Sequence, residues 1–139
     1  MIKITALLLL LLVKSALAQW PHENISQAVF AKSVEHRTPI EIVTEADESL
    51  GKIYFFTNIR HLTGDKITHR WIYKDKIKAE ISFDIKGERW RVWSSKNLWH
   101  TWTGQWTVEV LNQYNQVLLT KIFEFGQNTL QEGKGKDNE

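Results

Sequence analysis

The chain has 139 residues, 42% of them hydrophobic and 24% charged, with seven tryptophans and no cysteine. This composition is typical of a folded domain, and the lack of cysteine excludes disulfides, thiolate metal sites and a cysteine nucleophile. The formal net charge is +2, but residues 1–18 contain two lysines and no acidic residue, so residues 19–139 are formally neutral. Because proteins that bind nucleic acid usually have a strongly basic domain, we expect no nucleic-acid partner.

Residues 1–18 have the composition of a secretory signal peptide. Lys3 precedes an apolar run over residues 6–13, and Ala16-Leu17-Ala18 forms a small-residue cleavage site. The apolar run is shorter than the roughly 20 residues of a membrane span, so we expect no stable membrane insertion. We therefore predict an exported protein, periplasmic or secreted after cleavage near Ala18. The lack of cysteine favours a bacterial periplasm, because small domains of the eukaryotic extracellular space tend to be rich in disulfides.

The rest of the chain predicts a single folded domain. Residues 19–26 are predicted to be an N-terminal tether, residues 27–125 a β-sandwich domain, and residues 126–139 a disordered tail with a single leucine and no aromatic residue. No segment has a sustained helical period. Short apolar stretches with alternating side chains, separated by turns every eight to twelve residues, predict an all-β fold. We expect a single antiparallel β-sandwich, immunoglobulin-like, with about seven to eight strands.

Eight segments have the pattern of strands. They are residues 27–34, 39–43, 52–59, 67–73, 77–85, 89–94, 105–111 and 117–125. The segment 52–59 has consecutive apolar residues and is predicted to be buried on both faces. In the segment 105–111, Trp106, Val108 and Val110 alternate with polar residues and are predicted to face the core.

The segments 67–73 and 77–85 form a predicted hairpin. Their apolar faces agree only if the connection has an odd number of residues, because a shift of one residue turns every side chain to the other face. We therefore predict a turn of about three residues, with Trp71, Ile81 and Phe83 on one buried face. Arg70 would then face Glu80 or Ser82 on the other side of the sheet.

Arginine and tryptophan alternate in the segment 89–94. Trp90, Val92 and Ser94 are predicted to face the core, because burying two unpaired guanidinium groups would cost several kcal/mol. Arg89, Arg91 and Trp93 would then face outward, in a patch with Arg70 or Lys96. Residues 60–106 contain ten basic and five acidic residues, so this part of a neutral domain is locally positive.

Several of these motifs together resemble a known family. The aromatic strand ending in Phe55-Phe56-Thr57, the run Thr68-His69-Arg70-Trp71, the run Arg89-Trp90-Arg91-Val92-Trp93-Ser94-Ser95-Lys96 and the strand Gly104-Gln105-Trp106-Thr107-Val108-Glu109-Val110 are similar to a bacterial domain of unknown function, family number 2914. The resemblance covers roughly residues 52–125. It implies a compact exported all-β module and no particular reaction.

The residues with reactive side chains form no recognisable catalytic or metal motif. The five histidines are scattered without a His-x-His or His-Glu-x-x-His spacing, so we expect no metal and no cofactor. Ser94 and Ser95 lie in no nucleophile elbow, and we expect no enzyme. His69 is interpreted as a hydrogen-bonded core histidine beside Trp71.

The favoured function is an exported, non-catalytic binding module for an anionic or glycan-containing component of the cell envelope. The residues expected to bind are the basic Arg70, Arg89, Arg91 and Lys96 and the aromatic Trp93, Trp99 and Trp102. One alternative is a protein–protein interaction module of an envelope complex, which would use the same surface or a sheet edge. A small hydrolase is a third, less favoured possibility. In a purely structural reading, the arginines would neutralise carboxylates such as Glu80, Asp84 and Glu88, and Trp93 would pack under the link at residues 96–104.

Overall fold

The computed structural model describes residues 19–126, and its regular structure there is entirely β. The strands are β1 (Ile25–Glu35), β2 (Thr38–Val43), β3 (Glu45–Ala46), β4 (Lys52–Arg60), β5 (Lys66–Tyr73), β6 (Lys76–Asp84), β7 (Arg89–Asn97), β8 (Gly104–Leu111) and β9 (Val117–Phe125). The predicted signal peptide and residues 127–139 of the predicted tail lie outside the described residues. Within residues 19–126, no helix has the length and apolar character needed to cross a membrane.

The strands form two packed sheets, which confirms the predicted all-β sandwich. Sheet A has the strand order β2-β1-β4-β7, and sheet B has the order β3-β9-β8-β5-β6. The pairing is antiparallel except between β3 and β9, a two-residue parallel pair at the edge of sheet B. β3 lies outside the eight predicted strand segments, because two residues are too few to show an alternating pattern. The immunoglobulin-like assignment stays a prediction.

Aromatic side chains from both sheets fill the core. Trp71 and Trp106 have no exposed surface, and Tyr73 stacks on Trp106 with the ring centroids 4.6 Å apart. Phe30 of sheet A contacts Phe123 of sheet B, with a centroid distance of 5.3 Å. Val108 and Val110 are also fully buried, so the predicted inward face of β8 is confirmed.

The β5–β6 hairpin has the predicted register but a different turn. Trp71 pairs with Ala79 and Arg70 pairs with Glu80, as expected. The turn, however, consists of Lys74 and Asp75, whose φ angles of 48° and 61° are typical of the two-residue type I′ turn. A β-bulge at Lys78 supplies the extra residue. The predicted odd-length turn is therefore wrong, because the bulge corrects the facing of the side chains within the strand.

The β1–β2 hairpin bends back over the outer face of sheet A, the face turned away from sheet B. Arg91 on β7 is aligned, through Asn58 on β4, with Gln27 on β1. Arg37 follows Gln27 by ten residues, so a straight extended strand would place Arg37 about 33 Å from Gln27. The Arg37 carbonyl nevertheless accepts a hydrogen bond from Arg91 at 3.2 Å, so the far half of the hairpin must fold back. Glu41, with a φ of 52° inside β2, lies in this half.

The N-terminal residues are attached to the sandwich. β1 begins at Ile25, inside the segment predicted to be a tether. The Arg60 guanidinium lies 5.0 Å from the ring centroid of Trp20, and the Asn24 side chain donates a hydrogen bond to the Arg60 carbonyl at 3.1 Å. A cation–π contact and strand pairing therefore hold these residues against the sandwich.

Candidate functional site

The predicted binding residues lie in three separate places. Arg89, Arg91 and Trp93 are on the outer face of sheet A, Arg70 is on the outer face of sheet B, and Lys96, Trp99 and Trp102 are near the edge strands β6 and β7. The single patch predicted from the sequence is therefore divided.

Arg70 does not share a surface with the arginines of β7. Its strand belongs to sheet B, and the outer faces of the two sheets point in opposite directions. The Arg70 Nε donates to a Glu80 carboxylate oxygen at 2.7 Å, and its Nη1 lies 3.6 Å from Glu109. The predicted patch of Arg70 with Arg89 and Arg91 is wrong. The structural interpretation, in which carboxylates neutralise the arginine, holds for Arg70.

Arginines from two elements line a cavity on the outer face of sheet A. We call this cavity, of about 240 Å³, the arginine cleft; it is lined by Arg37, Arg89, Trp90, Arg91 and Trp93. The alternation of β7 directs Val92 and Ser94 into the core, where both are buried, and thus directs Arg89, Arg91 and Trp93 outward as predicted. The folded-back β1–β2 hairpin adds Arg37 from its tip.

The positive charges of the arginine cleft are not neutralised locally. Among residues 19–126, no carboxylate oxygen lies within 4.0 Å of the guanidinium nitrogens of Arg37, Arg89 or Arg91. The neighbouring carboxylate of Glu88 has other partners: the Thr63 hydroxyl at 2.6 Å and the His61 ring at 3.0 Å. These hydrogen bonds, that of Thr63 above all, lower the pKa of Glu88. The predicted neutralisation of Arg89 and Arg91 by Glu88 is therefore not observed.

Trp93 provides an aromatic wall of the arginine cleft. Its ring stacks on Phe56 of β4, with a centroid distance of 6.3 Å and an interplanar angle of 18°. Phe56 is 1% exposed although it lies on the outer face of the sheet. Trp93 packs on Phe56, so the interpretation that placed Trp93 under the link at residues 96–104 is not supported. Because Phe56 covers one side of the indole and the tryptophan is half-buried, the rest of the ring remains in the cleft.

A second group of cations and aromatic rings lies at the other end of β7. We call Lys78, Lys96, Trp99 and Trp102 the lysine–tryptophan cluster. The ammonium groups of Lys96 and Lys78 lie 5.4 and 5.7 Å from the ring centroid of Trp102. Trp102 accepts a hydrogen bond at its carbonyl from the buried Trp106 indole at 3.0 Å. Trp99 is 62% exposed and meets Trp102 edge-on, with the centroids 6.5 Å apart.

A chain of hydrogen bonds crosses the core between the two sheets. The Trp71 indole donates to Ser94 Oγ at 3.0 Å, Ser94 Oγ lies 2.8 Å from His69 Nδ1, and His69 Nε2 lies 3.0 Å from Thr57 Oγ1. The Thr57 hydroxyl donates to the Val92 carbonyl at 3.3 Å. Every hydrogen has an acceptor if Ser94 donates to Nδ1 and the neutral ring donates from Nε2. Burial lowers the pKa of His69 to about 3, which keeps the ring neutral.

The Ser94–His69 pair has the hydrogen bond of a nucleophile and its base, but it lies inside the core. His69 has no exposed surface and Ser94 is 6% exposed. The prediction that His69 is a hydrogen-bonded core histidine beside Trp71 is confirmed. Catalysis would require a substrate to reach this hydroxyl, and the hydroxyl already takes part in the network that joins the sheets.

The structure adds two residues that the sequence did not indicate. Arg37 enters the arginine cleft only because the β1–β2 hairpin bends, and Lys78 reaches Trp102 from the bulged part of β6. Neither the bend nor the bulge has a local sequence signal.

Residues 19–126 contain no group of three histidine, aspartate or glutamate side chains arranged to hold a metal ion.

Residues 64–125 match the model of a family described as Protein of unknown function (DUF2914). The predicted family resemblance is confirmed over these residues. The DUF2914 match begins after β4 and contains β5 to β9, and therefore Arg89, Arg91, Trp93 and the lysine–tryptophan cluster. Arg37 lies outside the match. No curated protein matches the chain.

Proposed function

We propose that this protein is an exported, non-catalytic binding module for an anionic or glycan-containing component of the cell envelope, which it binds in the arginine cleft. The observation that carries this proposal is the grouping of Arg37, Arg89 and Arg91 around one cavity with no carboxylate of residues 19–126 within 4.0 Å. Export rests on the signal-peptide pattern of residues 1–18.

The electrostatics of the cleft favour an anion. Like charges that line one cavity repel each other, and a bound anion removes this repulsion. The guanidinium group presents paired N–H donors that match the two oxygens of a carboxylate or phosphate. Arg91 uses one donor for the Arg37 carbonyl and retains others for a ligand. The cleft therefore suits a ligand with carboxylate, phosphate or sulfate groups.

The aromatic wall favours a ligand that also has a flat or ring-shaped part. The Trp93 ring lines the same cavity as the arginines. An indole presents a large apolar surface, against which the C–H face of a sugar ring can pack. A glycan with acidic groups would use both kinds of contact, whereas a simple anion would use only the arginines.

The test is a double substitution, Arg89→Gln with Arg91→Gln, compared with Arg70→Gln as a control arginine on the opposite sheet. Retention of the purified protein would be measured on an insoluble envelope fraction and on alginate beads, at low and high salt. We expect the double variant to lose salt-sensitive retention and the control to keep it. The melting temperature should change by only a few degrees, because the structure shows one hydrogen bond from these side chains, a contribution of about 1 kcal/mol.

Two results would count against the proposal. The first is unchanged retention of the Arg89→Gln, Arg91→Gln variant. The second is equal loss of retention in the Arg70→Gln control, which would indicate a response to net charge rather than to the cleft. A large drop in melting temperature with unchanged retention would make the two arginines structural.

A protein–protein interaction module is the second candidate, and the edge of sheet A favours it. β7 pairs with β4 in continuous register over its whole length and is the last strand of its sheet. An unpaired strand edge can bind an extended segment of another protein. At the other edge of sheet A, β2 contains Pro39 and the positive φ of Glu41, features that discourage such pairing. Crosslinking in envelope extracts would distinguish a protein partner from a polymer. No arrangement within residues 19–126 favours a hydrolase.

A further inference from the structure

The lysine–tryptophan cluster lies beside the same strand as the arginine cleft, and nothing in the proposal above accounts for it. We infer that the ligand is an acidic polysaccharide that runs along β7 and contacts both places. This inference rests on the proposed function of the arginine cleft. It adds a second contact site and a minimum length for the ligand.

The spacing of the two places determines the size of the ligand. Arg91 and Lys96 are five residues apart on β7, which corresponds to about 16 Å along an extended strand, and this odd spacing places them on opposite faces of the strand. A single sugar or a single phosphate is too small to contact both residues. A chain of several sugars can do so by crossing the open edge of β7, which is the edge strand of sheet A.

The two lysines reach Trp102 from different sheets. Lys96 belongs to the edge strand of sheet A, and Lys78 belongs to the edge strand of sheet B. The bulge at Lys78 changes the direction of the strand at this residue. Within the described part of the chain, neither ammonium group has a carboxylate within 4.0 Å. Two positive groups are thus held near one ring without a counter-charge.

The present contacts of the lysines leave them available to an anionic ligand. A cation–π contact at an exposed site is weaker than a hydrogen bond between charged groups. The carboxylate of an acidic sugar can therefore replace the contact with Trp102. Lys78 and Lys96 would then bind the charged groups of the chain.

Trp99 gives the cluster its preference for a sugar. The Trp102 ring is partly buried and already has two lysines against it, but the Trp99 ring is 62% exposed. A turn closed by the hydrogen bond from Trp102 N to the Trp99 carbonyl, at 2.9 Å, presents this ring to solvent. Trp93 at the middle of β7 and Trp99 just after its C-terminal end thus provide two aromatic surfaces. Polyphosphate has no apolar ring face and would leave both surfaces unused.

The inference predicts that affinity depends on the length of the ligand. The probes are oligogalacturonides from the disaccharide to the decasaccharide, measured by isothermal titration calorimetry. The variants are Lys78→Gln with Lys96→Gln, and Trp99→Ala. The control is Lys74→Gln with Lys76→Gln, which removes the same number of charges from the hairpin that contains Lys78 but does not change the cluster.

In the wild type, we expect the affinity to rise with length until the chain spans both places and then to level off. The Lys78→Gln, Lys96→Gln variant should bind the disaccharide normally and lose about tenfold or more in affinity for the decasaccharide, because only the long chain reaches the second site. Trp99→Ala should show the same pattern, and the control should follow the wild type.

The outcomes separate this inference from the proposed function. Binding in the arginine cleft with the same length dependence in all variants would overturn the inference and leave the proposed function intact. No binding of any oligogalacturonide to the wild type would overturn the inference, and the arginine cleft would then be tested with the envelope fraction alone. Equal binding of poly-glutamate, with the same loss in the lysine variant, would show that the ligand is not a sugar and would favour a protein partner.

Discussion

His69 makes the stability of the protein depend on pH in a predictable way. Burial lowers the pKa of this histidine from 6.5 to about 3 in the folded protein. Between these two values, the unfolded chain binds a proton that the folded protein does not bind. The free energy of unfolding therefore falls as the pH falls below about 6.5, and it continues to fall until about pH 3. Above pH 7, both states have a neutral ring and this contribution is complete.

The size of the effect follows from the two pKa values. The loss approaches about 1.4 kcal/mol per pH unit once the unfolded histidine is fully protonated. Between pH 7 and pH 5, the expected loss is about 2 kcal/mol. Three carboxyl groups also have a lowered pKa, through hydrogen bonds to their neighbours: Asp47, Asp84 and Glu88. Their ordinary values of 3.8 and 4.5 lie below this window, so that they contribute little to the loss above pH 5.

Urea denaturation at pH 7 and pH 5 measures this loss. The variant is His69→Gln, and the control is His100→Gln, at an exposed histidine. Between pH 7 and pH 5, the free energy of unfolding of the His100→Gln control should fall by about 2 kcal/mol more than that of His69→Gln, because the control retains His69. The variant should be less stable than the wild type at pH 7, because glutamine cannot reproduce both hydrogen bonds of the ring.

Equal pH dependence in His69→Gln and in the wild type would refute this reasoning. NMR of the wild type gives a second measurement that does not depend on a folded variant. The ring should stay neutral from pH 7 to about pH 4, with its proton on Nε2. A His69 resonance that titrates near pH 6 in the folded protein would show that the ring is not sealed in the core.

Two further predictions concern stability. Trp106→Ala should lower the free energy of unfolding by about 3–5 kcal/mol, because it removes a fully buried aromatic side chain. Trp99→Ala, at an exposed tryptophan, is the control. Equal effects of the two substitutions in urea denaturation would contradict the assigned packing. Asp75→Gly should raise the free energy of unfolding by about 0.5–1 kcal/mol, because glycine adopts the positive φ of this type I′ turn without strain. Lys76→Gly, one residue later in the strand, should instead lower it, and stabilisation by both changes would mean that the turn geometry is not the cause.

The direction of side chains in the main strands could be predicted from the sequence. Alternation with a period of two is a local property, and it placed Trp106 and Val108 in the core. In β7, alternation alone did not show which of the two faces is buried. The cost of burying guanidinium groups decided this question. Val92 and Ser94 are indeed buried. The same reasoning gave the correct register of the β5–β6 hairpin, although the turn itself was predicted incorrectly.

The grouping of the candidate binding residues could not be predicted in the same way. Alternation shows that Arg70 and Arg91 both face outward, but it does not show to which sheet each strand belongs. That assignment depends on pairing between distant segments: β5 with β8, and β7 with β4. Arg37 and Lys78 were missed for a related reason, because a bend in one hairpin and a bulge in another bring them to their positions.

The sandwich divides the excess positive charge of residues 60–106 into two parts with different surroundings. On sheet B, Arg70 faces Glu80 and Lys66 faces Asp84, in ion pairs of 2.7 and 2.6 Å. An ion pair as exposed as Lys66–Asp84 contributes little to stability, so folding alone does not require the exposed arginines of sheet A to have partners. Their charge would therefore be available to the ligand that we propose. For the same reason, Arg89 and Arg91 can be replaced with little loss of stability, and a change in binding can be attributed to the cleft itself.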